Sequence, residues 1–286
     1  MRSRPRPYDN PMPLPTQLDY PVIAVGDLHG QLGFLDRLLA KLRTHEVWPT
    51  ARLVFLGDLV DRGRDVKGTV QRVMDLLAEK PGSTCVMGNH DFALANAAGL
   101  LGERPVFWTD KYRDSYDHVP TFRSYTGFGP VYSTDDEWLR ELDDLREAMP
   151  ESHREFLRGL PWLAEASGHL FLHNGLSAEL NEPAEIQLHA LRMRRWADVM
   201  TPKLGTKSAE KWQPSYPAWF GADKLANVNP LPVPGRVQVV GHVKVDAPEV
   251  NAIRIRLDTS GGVAEPLTAA VLRSASAPPE FVTSNG

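Results

Sequence analysis

Three times along this chain, at a constant interval, a short apolar run stops at glycine and then a carboxylate or amide. Val22-Ile23-Ala24-Val25 runs into Gly26-Asp27-Leu28-His29-Gly30. Leu53-Val54-Phe55-Leu56 runs into Gly57-Asp58-Leu59-Val60-Asp61-Arg62-Gly63. Thr84-Cys85-Val86-Met87 runs into Gly88-Asn89-His90-Asp91. A short unbroken apolar run is how a strand buried on both faces reads. Asp27, Asp58 and Asn89 stand 31 residues apart at each step (58 − 27 and 89 − 58). That is room for one helical crossover between parallel strands. Leu32, Leu35, Leu38, Leu39 and Leu42 fill the first interval at helical spacing, predicting a helix over Gly33 to His45. Val66, Val70, Val73, Met74 and Leu77 fill the second, before Pro81-Gly82. The pattern predicts an α/β fold whose parallel strands deliver Asp, Asp and Asn side by side. They would meet at the carboxyl edge of the sheet, where open α/β sheets bind ligands.

A third helix is expected from Phe92 to Gly99. Residues 102–160 then break the rhythm and read as an inserted, mostly helical region. Its aromatics, Trp108, Tyr112, Tyr116, Phe122 and Tyr125, pack on the main domain or, alternatively, line a substrate cleft. Leu139, Leu142 and Leu145 predict a helix before Pro150, and Phe156, Leu157 and Leu160 another before Pro161. Strands return with His169 to Leu172, ending in His173-Asn174-Gly175, and with Arg236 to Val240, ending in Gly241-His242. Ile186 to Met200 reads as a helix, and the proline-rich residues 201–235 as an irregular loop. Ile253, Ile255 and Leu257 alternate with Arg254 and Arg256, a half-buried strand that meets Asp258. Leu267 to Leu272 closes the sheet. The proline- and arginine-rich residues 1–19 read as a disordered arm and 274–286 as a loose tail, leaving one domain over 20–273.

Composition removes several function classes. The 286 residues carry a net charge of −4, which offers no nucleic-acid-binding surface. No apolar run approaches a membrane span. Arg2, Arg4 and Arg6 are followed by no apolar segment, so the N-terminus does not read as a signal peptide. The single cysteine, Cys85, sits within an apolar strand and suits a reducing compartment. The chain is expected to be cytoplasmic, with no nucleic-acid or membrane partner.

The strand ends gather Asp27, His29, Asp58, Asn89, His173 and His242. Carboxylate oxygen and imidazole nitrogen suit divalent cations such as manganese, iron or zinc. Taken singly, a Gly-Asp is a turn and a histidine a satisfied core residue. Together, buried and unpaired, these groups would each cost roughly 2–7 kcal/mol. Six ligands exceed the need of one tetrahedral ion and suit two ions sharing a carboxylate.

In this order the motifs at 26–30, 57–63, 88–91, 173–177 (His-Asn-Gly-Leu-Ser) and 241–242 resemble those of the calcineurin-like metallophosphoesterases. Within them the chain is similar to the phosphoprotein phosphatase branch, the serine/threonine phosphatases and their bacterial relatives. The resemblance implies a metallophosphoesterase β-sandwich flanked by helices and two divalent metal ions, manganese first, with iron or zinc as alternatives. It implies Asp27 and His29 on the first ion, Asp58 bridging both, and Asn89, His173 and His242 on the second. His90 would protonate the leaving oxygen and Asp61 would orient it. Arg62 and Asn89 would hold phosphate oxygens. A second phosphate-binding arginine should follow His173; Arg192, Arg194 and Arg195 compete, and Arg194 is preferred. Two positions depart from the family pattern. Asn174 stands where the family has Gly or Ala. Asp91 replaces the protein phosphatases' usual Glu, as it does in bacterial phosphatases and diadenosine tetraphosphate hydrolases.

The function implied is hydrolysis of phosphomonoesters by a serine/threonine protein phosphatase, acting on a phosphoprotein or a small phosphoester. Asp61 and Arg62 favour it, because the tetraphosphate hydrolases often lack that acid. The alternative is hydrolysis of symmetrical dinucleoside tetraphosphates or other nucleotides. A remote alternative is a non-catalytic binding module; the six intact ligands argue against it.

Overall fold

The computed structural model describes residues 14–178, 182–194 and 230–285. The three repeated devices become neighbouring parallel strands. β1 (Val22–Val25) pairs with β2 (Arg52–Phe55), and β2 with β3 (Thr84–Cys85). The crossovers are α1 (Leu32–Leu42) and α2 (Val66–Glu79), each burying the apolar stripe foreseen above. Cys85 lies in β3 and is buried.

α3 (Asn89–Ala97) starts three residues earlier than its apolar pattern suggests, and every residue in it is buried. Asp58 Oδ1 accepts from His90 N (2.8 Å), and the Asp91 carboxylate accepts from Gly88 N (3.0 Å) and Leu59 N (2.9 Å). The contacts to Gly88 and His90 satisfy open N–H groups at the start of the helix, the one to Leu59 ties the loop after β2 to it, and both carboxylates sit at the positive end of the helix. Asn89 and His90 are thereby held in that first turn, beside the end of β2.

The insertion comprises α4 (Val106–Ser115), α5 (Val119–Thr126), α6 (Asp135–Ala148) and α7 (Glu151–Gly159). Trp108, Tyr112, Phe122 and Trp138 are fully buried and form core, whereas Tyr116 is only partly buried and its ring packs edge-on against His90 (centroids 4.7 Å apart). Thr134 and Glu137 close a capping box at the start of α6.

The second sheet holds β4 (Ala164–Ala166), β5 (His169–Phe171), β6 (Val237–Val240), β7 (Glu249–Val250) and β8 (Arg254–Arg256), in the order β4-β5-β6-β8-β7. α8 (Ala184–Met193) follows β5, and its expected continuation to Met200 lies outside the described residues, as do 1–13 and 195–229. β9 (Thr268–Leu272) and β10 (Glu280–Thr283) complete the first sheet as β10-β9-β1-β2-β3. The tail read as loose therefore supplies an edge strand. Residues 16–18 of the expected arm are also docked, through Leu18 N to Glu165 O (2.8 Å) and Glu165 N to Thr16 O (2.8 Å).

Strand periodicity divides the core in two. Ile23, Val25, Ala269 and Val271 face the helices, whereas Val22, Ala24, Ala270 and Leu272 face Phe171, Val239 and Ile255 of the other sheet. The molecule is thus a sandwich of two mixed sheets flanked by helices. One expectation fails locally. The alternation predicts an exposed Arg254, but it is buried and donates from Nη2 to Leu176 O (2.7 Å). A Cβ at Gly175 would come within 2.6 Å of that nitrogen, so the turn and the guanidinium fit only around glycine. Burial, then Arg256, lowers the pKa of Arg254 to about 10.

Candidate active site

The strand ends converge at one edge of the sandwich. Asp58 Oδ2 lies 3.3 Å from His29 Nε2 and 3.4 Å from His173 Nε2, between the two imidazoles. Two constellations with metal-ligand spacing share it: His29, Asp58 and His90, and Asp58, His173 and His242. Asn89 Oδ1 joins the second, 2.9 Å from His173 Nε2 and 2.8 Å from His242 Nδ1. Asp27 belongs to neither constellation. It stands beside them, accepting from His242 N at 3.1 Å and 3.0 Å. Close approach makes glycine necessary here. A Cβ on Gly88 would lie 2.2 Å from Asp58 Oδ1, and one on Gly241 2.0 Å from Asp27 Oδ1.

Backbone conformation marks the same residues. Among the described residues, six other than glycine have left-handed φ, and five of them are His29, Asp58, Asp61, Arg62 and His242. Such conformations cost free energy and persist where the surroundings impose them, typically at functional sites.

The donor chemistry fits cations. His29 Nδ1–H donates to Val60 O (2.9 Å) and His173 Nδ1–H to Leu56 O (2.7 Å), since a carbonyl can only accept. Both Nε2 atoms are thereby turned toward Asp58, the arrangement that prepares a histidine for a metal. Burial drives the His29 pKa well below its ordinary value, which keeps the ring in its ligating form. Burial alone would lower His173 too, but Asp58 and then Asp27 overcome it and raise the pKa to about 10. Asp27 is raised well above the carboxylate range, by burial and then by Asp258. Burial pushes Asp58 the same way, but His173, His90 and His29 outweigh it and hold Asp58 well below that range. Oxygen and nitrogen acceptors packed this closely around buried carboxylates suit positive charge, and Asp27, His29, Asp58, Asn89, His173 and His242 could hold it.

Beside them sits a second group. His90 Nδ1–H donates to Asp61 Oδ2 (2.7 Å), which turns Nε2 outward. Asp61 Oδ1 accepts from Tyr112 Oη (2.7 Å) and Thr121 Oγ1 (2.6 Å) of the insertion. Arg62 Nη2 lies 3.2 Å from His90 Nε2, and Arg62 Nη1 lies 3.0 Å from His29 Nε2 while donating to Gly261 O (2.7 Å). His90, Asp61 and Arg62 are therefore brought together with the acceptor cluster.

Residues 20–246 match the family model of the calcineurin-like phosphoesterases. The chain belongs to that family. It is 44% identical over 219 residues to a symmetrical bis(5'-nucleosyl)-tetraphosphatase of Ralstonia nicotianae, covering 73% of this chain and 62% of that protein. It is 39% identical over 85 residues to the serine/threonine-protein phosphatase 6 catalytic subunit of Caenorhabditis elegans, covering 29% of this chain and 25% of that one. Its fold is similar to the crystal structure of a cold-active protein-tyrosine phosphatase of a psychrophilic Shewanella, with a TM-score of 0.50, 18% identity, and 94% and 82% of the two chains covered. The chain spans under two thirds of the Ralstonia relative's length. No helix among the described residues of this phosphoesterase is long and apolar enough to cross a membrane.

Two expected features stand elsewhere. Arg194 caps α8 and donates to Arg158 O (2.9 Å), not to a member of the cluster. Arg192 is paired with Glu165 (2.7 Å), and Arg195 lies outside the described residues. Conversely, Asp258, which the sequence marks only as the residue a strand meets, belongs with the site. It is buried, its Oδ1 accepts from Gly261 N (2.8 Å), and burial followed by Asp58 raises its pKa. Its signal was the familiar one, a carboxylate just past a strand. Tyr112 and Thr121 had no such signal.

Proposed function

We propose that this phosphoesterase hydrolyses dinucleoside tetraphosphates symmetrically, in preference to phosphoproteins. The observation that carries the reading is the 44% identity to a symmetrical bis(5'-nucleosyl)-tetraphosphatase over 73% of the chain, against 29% for the protein phosphatase. Asp27, His29, Asp58, Asn89, His173 and His242 would hold two divalent ions, with Asp58 shared and manganese tested first. When bound, such ions activate water and neutralise charge on phosphoryl oxygens. Arg62, placed between His29 and His90, would fork onto two phosphate oxygens. Asp61 fixes Nδ1–H of His90, so that Nε2 faces the cluster; with a second proton on the ring, the imidazolium would deliver its Nε2 proton to the leaving oxygen. A water oxygen joins the second phosphorus, its bond to the bridging oxygen breaks, and two nucleoside diphosphates leave. A reducing cytoplasm suits the buried, unbridged Cys85.

One observation favours the second reading, a serine/threonine phosphatase. The buried His90–Asp61 pair is what a poor alkoxide leaving group requires, and a diphosphate requires it less. The two readings part in one assay: manganese-supported kcat/KM for diadenosine tetraphosphate against a phosphoserine/phosphothreonine peptide. The dinucleotide should win by about tenfold or more. A peptide preference of that size transfers the assignment to the protein phosphatases, and turnover of neither, with metal bound, would leave only a binding module.

A further inference from the structure

Next to the catalytic cluster lies a cleft of about 440 Å³, open to solvent and lined by Gln31, Phe34, Arg62, Arg64, Gly262 and Val263. The volume falls in the range of small-molecule sites. Arg62 belongs to both regions. Its guanidinium touches His29 and His90 on one side and lines the cleft on the other, so a phosphate held by Arg62 has the cleft as its continuation.

The lining is chemically divided. Arg64 is exposed and has no carboxylate partner among the described residues, while other surface arginines nearby are paired, Arg37 with Glu265 and Arg72 with Asp36. Arg62 and Arg64 therefore give one wall two positive charges, on a chain whose net charge is −4. Phe34 supplies an aromatic ring. It is half-buried against the core, and the Arg37 guanidinium lies 5.3 Å from its centroid, itself anchored by Glu265 at 2.7 Å. Val263 is 64% exposed, an apolar side chain on the rim of a polar cleft. Gln31 Nε2 donates to Gly262 O (2.8 Å), which fixes its amide and leaves Oε1 as an acceptor.

Cations leading away from a phosphate site, then a fixed ring, an apolar rim and an amide acceptor suit a phosphate chain that ends in a flat, hydrogen-bonding base. We propose that this cleft is the nucleotide subsite: Arg64 binds the phosphate next to the one under attack, and Phe34 with Val263 receives the base. The inference rests on the tetraphosphatase reading and adds where the nucleoside lies. A phosphopeptide would find here a ring and a charge with no strand edge to pair with, so a nucleotide fits the lining better.

The test is calorimetric binding of ADP and of inorganic phosphate to the manganese-loaded full chain. ADP should bind at least tenfold more tightly than phosphate. Phe34→Ala and Arg64→Ala should each weaken ADP about tenfold, in line with the usual cost of losing a base-stacking ring, and leave phosphate within twofold. Arg64 is exposed, so its variant keeps the fold, and Phe34→Leu preserves the packing of Phe34 while removing the ring. ADP binding no tighter than phosphate would overturn the subsite, as would equal weakening of both ligands, or tight ADP binding that none of the variants changes. Diadenosine tetraphosphate turnover by the unaltered chain tests the parent reading separately. A chain that binds ADP as expected but does not cleave the dinucleotide keeps its nucleotide cleft and loses the tetraphosphatase assignment.

Discussion

At the scale of single residues, Asp61 carries the most consequential geometry. One carboxylate oxygen accepts from His90, and the other from two hydroxyls of the insertion, Tyr112 and Thr121. Burial, and then the Asp61 carboxylate, hold the Tyr112 hydroxyl well above its ordinary pKa, so it stays a donor. Hydrogen bonds to a charged acceptor contribute about 1.5–3 kcal/mol. Losing one of them should therefore loosen Asp61 without uncovering it. Tyr112→Phe is expected to lower kcat/KM for an alkyl phosphomonoester about tenfold and for an activated aryl phosphate less than twofold, because only the first substrate needs a proton at its leaving oxygen. Thr121→Val should act in the same direction. A series of phenyl phosphates with graded leaving groups reads this as a steeper dependence on leaving-group acidity. An equal loss across the series would reduce both hydroxyls to packing.

At the scale of elements, the insertion is tied to the main body through His153 of α7. Its Nδ1 lies 2.9 Å from Tyr125 Oη of α5, and its Nε2 lies 3.1 Å from Gln71 Oε1 of α2. Burial, with a smaller contribution from Lys67 and against that of Asp75, lowers the His153 pKa from 6.5 to about 4. The unfolded chain thus takes up a proton near pH 6.5 that the folded chain refuses until about pH 4. Folding is favoured above that window, and stability is lost as pH falls through it, by up to about 3 kcal/mol from this group. Urea unfolding at pH 7 and pH 4.5 should show a loss that His153→Gln reduces by about 2 kcal/mol or more; parallel losses in the two proteins would clear His153 of the effect. None of this was legible in the sequence. α4 and α5 bury aromatic rings from several neighbours at once, so no single stripe marks them. β10 is another omission. Glu280 and Phe281 are exposed, and only pairing with β9 makes a strand of a polar segment. By contrast, α1 and α2 could be read directly, because one face of each meets the sheet and the other meets water.

At the scale of the whole molecule, the site joins the two sheets. Asp27, Asp58 and Asn89 follow strands of one sheet; His173 and His242 follow strands of the other. The contacts between them, His173 to Leu56 O and to Asn89, and His242 N to Asp27, cross the sandwich. This is why the site was legible where α4 and α5 of the insertion were not, although its helical character and α6 and α7 were. Each candidate ligand sits two to four positions past a buried strand, a local pattern, and the strand topology does the gathering. Arg194 lacked such an anchor, and proximity in sequence to His173 proved a poor guide to its place. A cation bound at this junction would hold the sheets together, so metal binding should stabilise the entire fold. Binding only to the folded state at a hundredfold excess over Kd adds about 2.7 kcal/mol. For a domain of this size that corresponds to roughly 5–10 °C in Tm. Chelation followed by dialysis should abolish turnover and lower Tm by about that much, and manganese should restore both. Asp58→Asn removes the carboxylate that both constellations share. The variant should lose turnover, carry less than the wild-type metal content by mass spectrometry, and melt at a temperature that chelation barely alters. If chelation leaves the wild-type Tm within about 1 °C, or if Asp58→Asn keeps full metal and full activity, these strand ends do not form the metal centre.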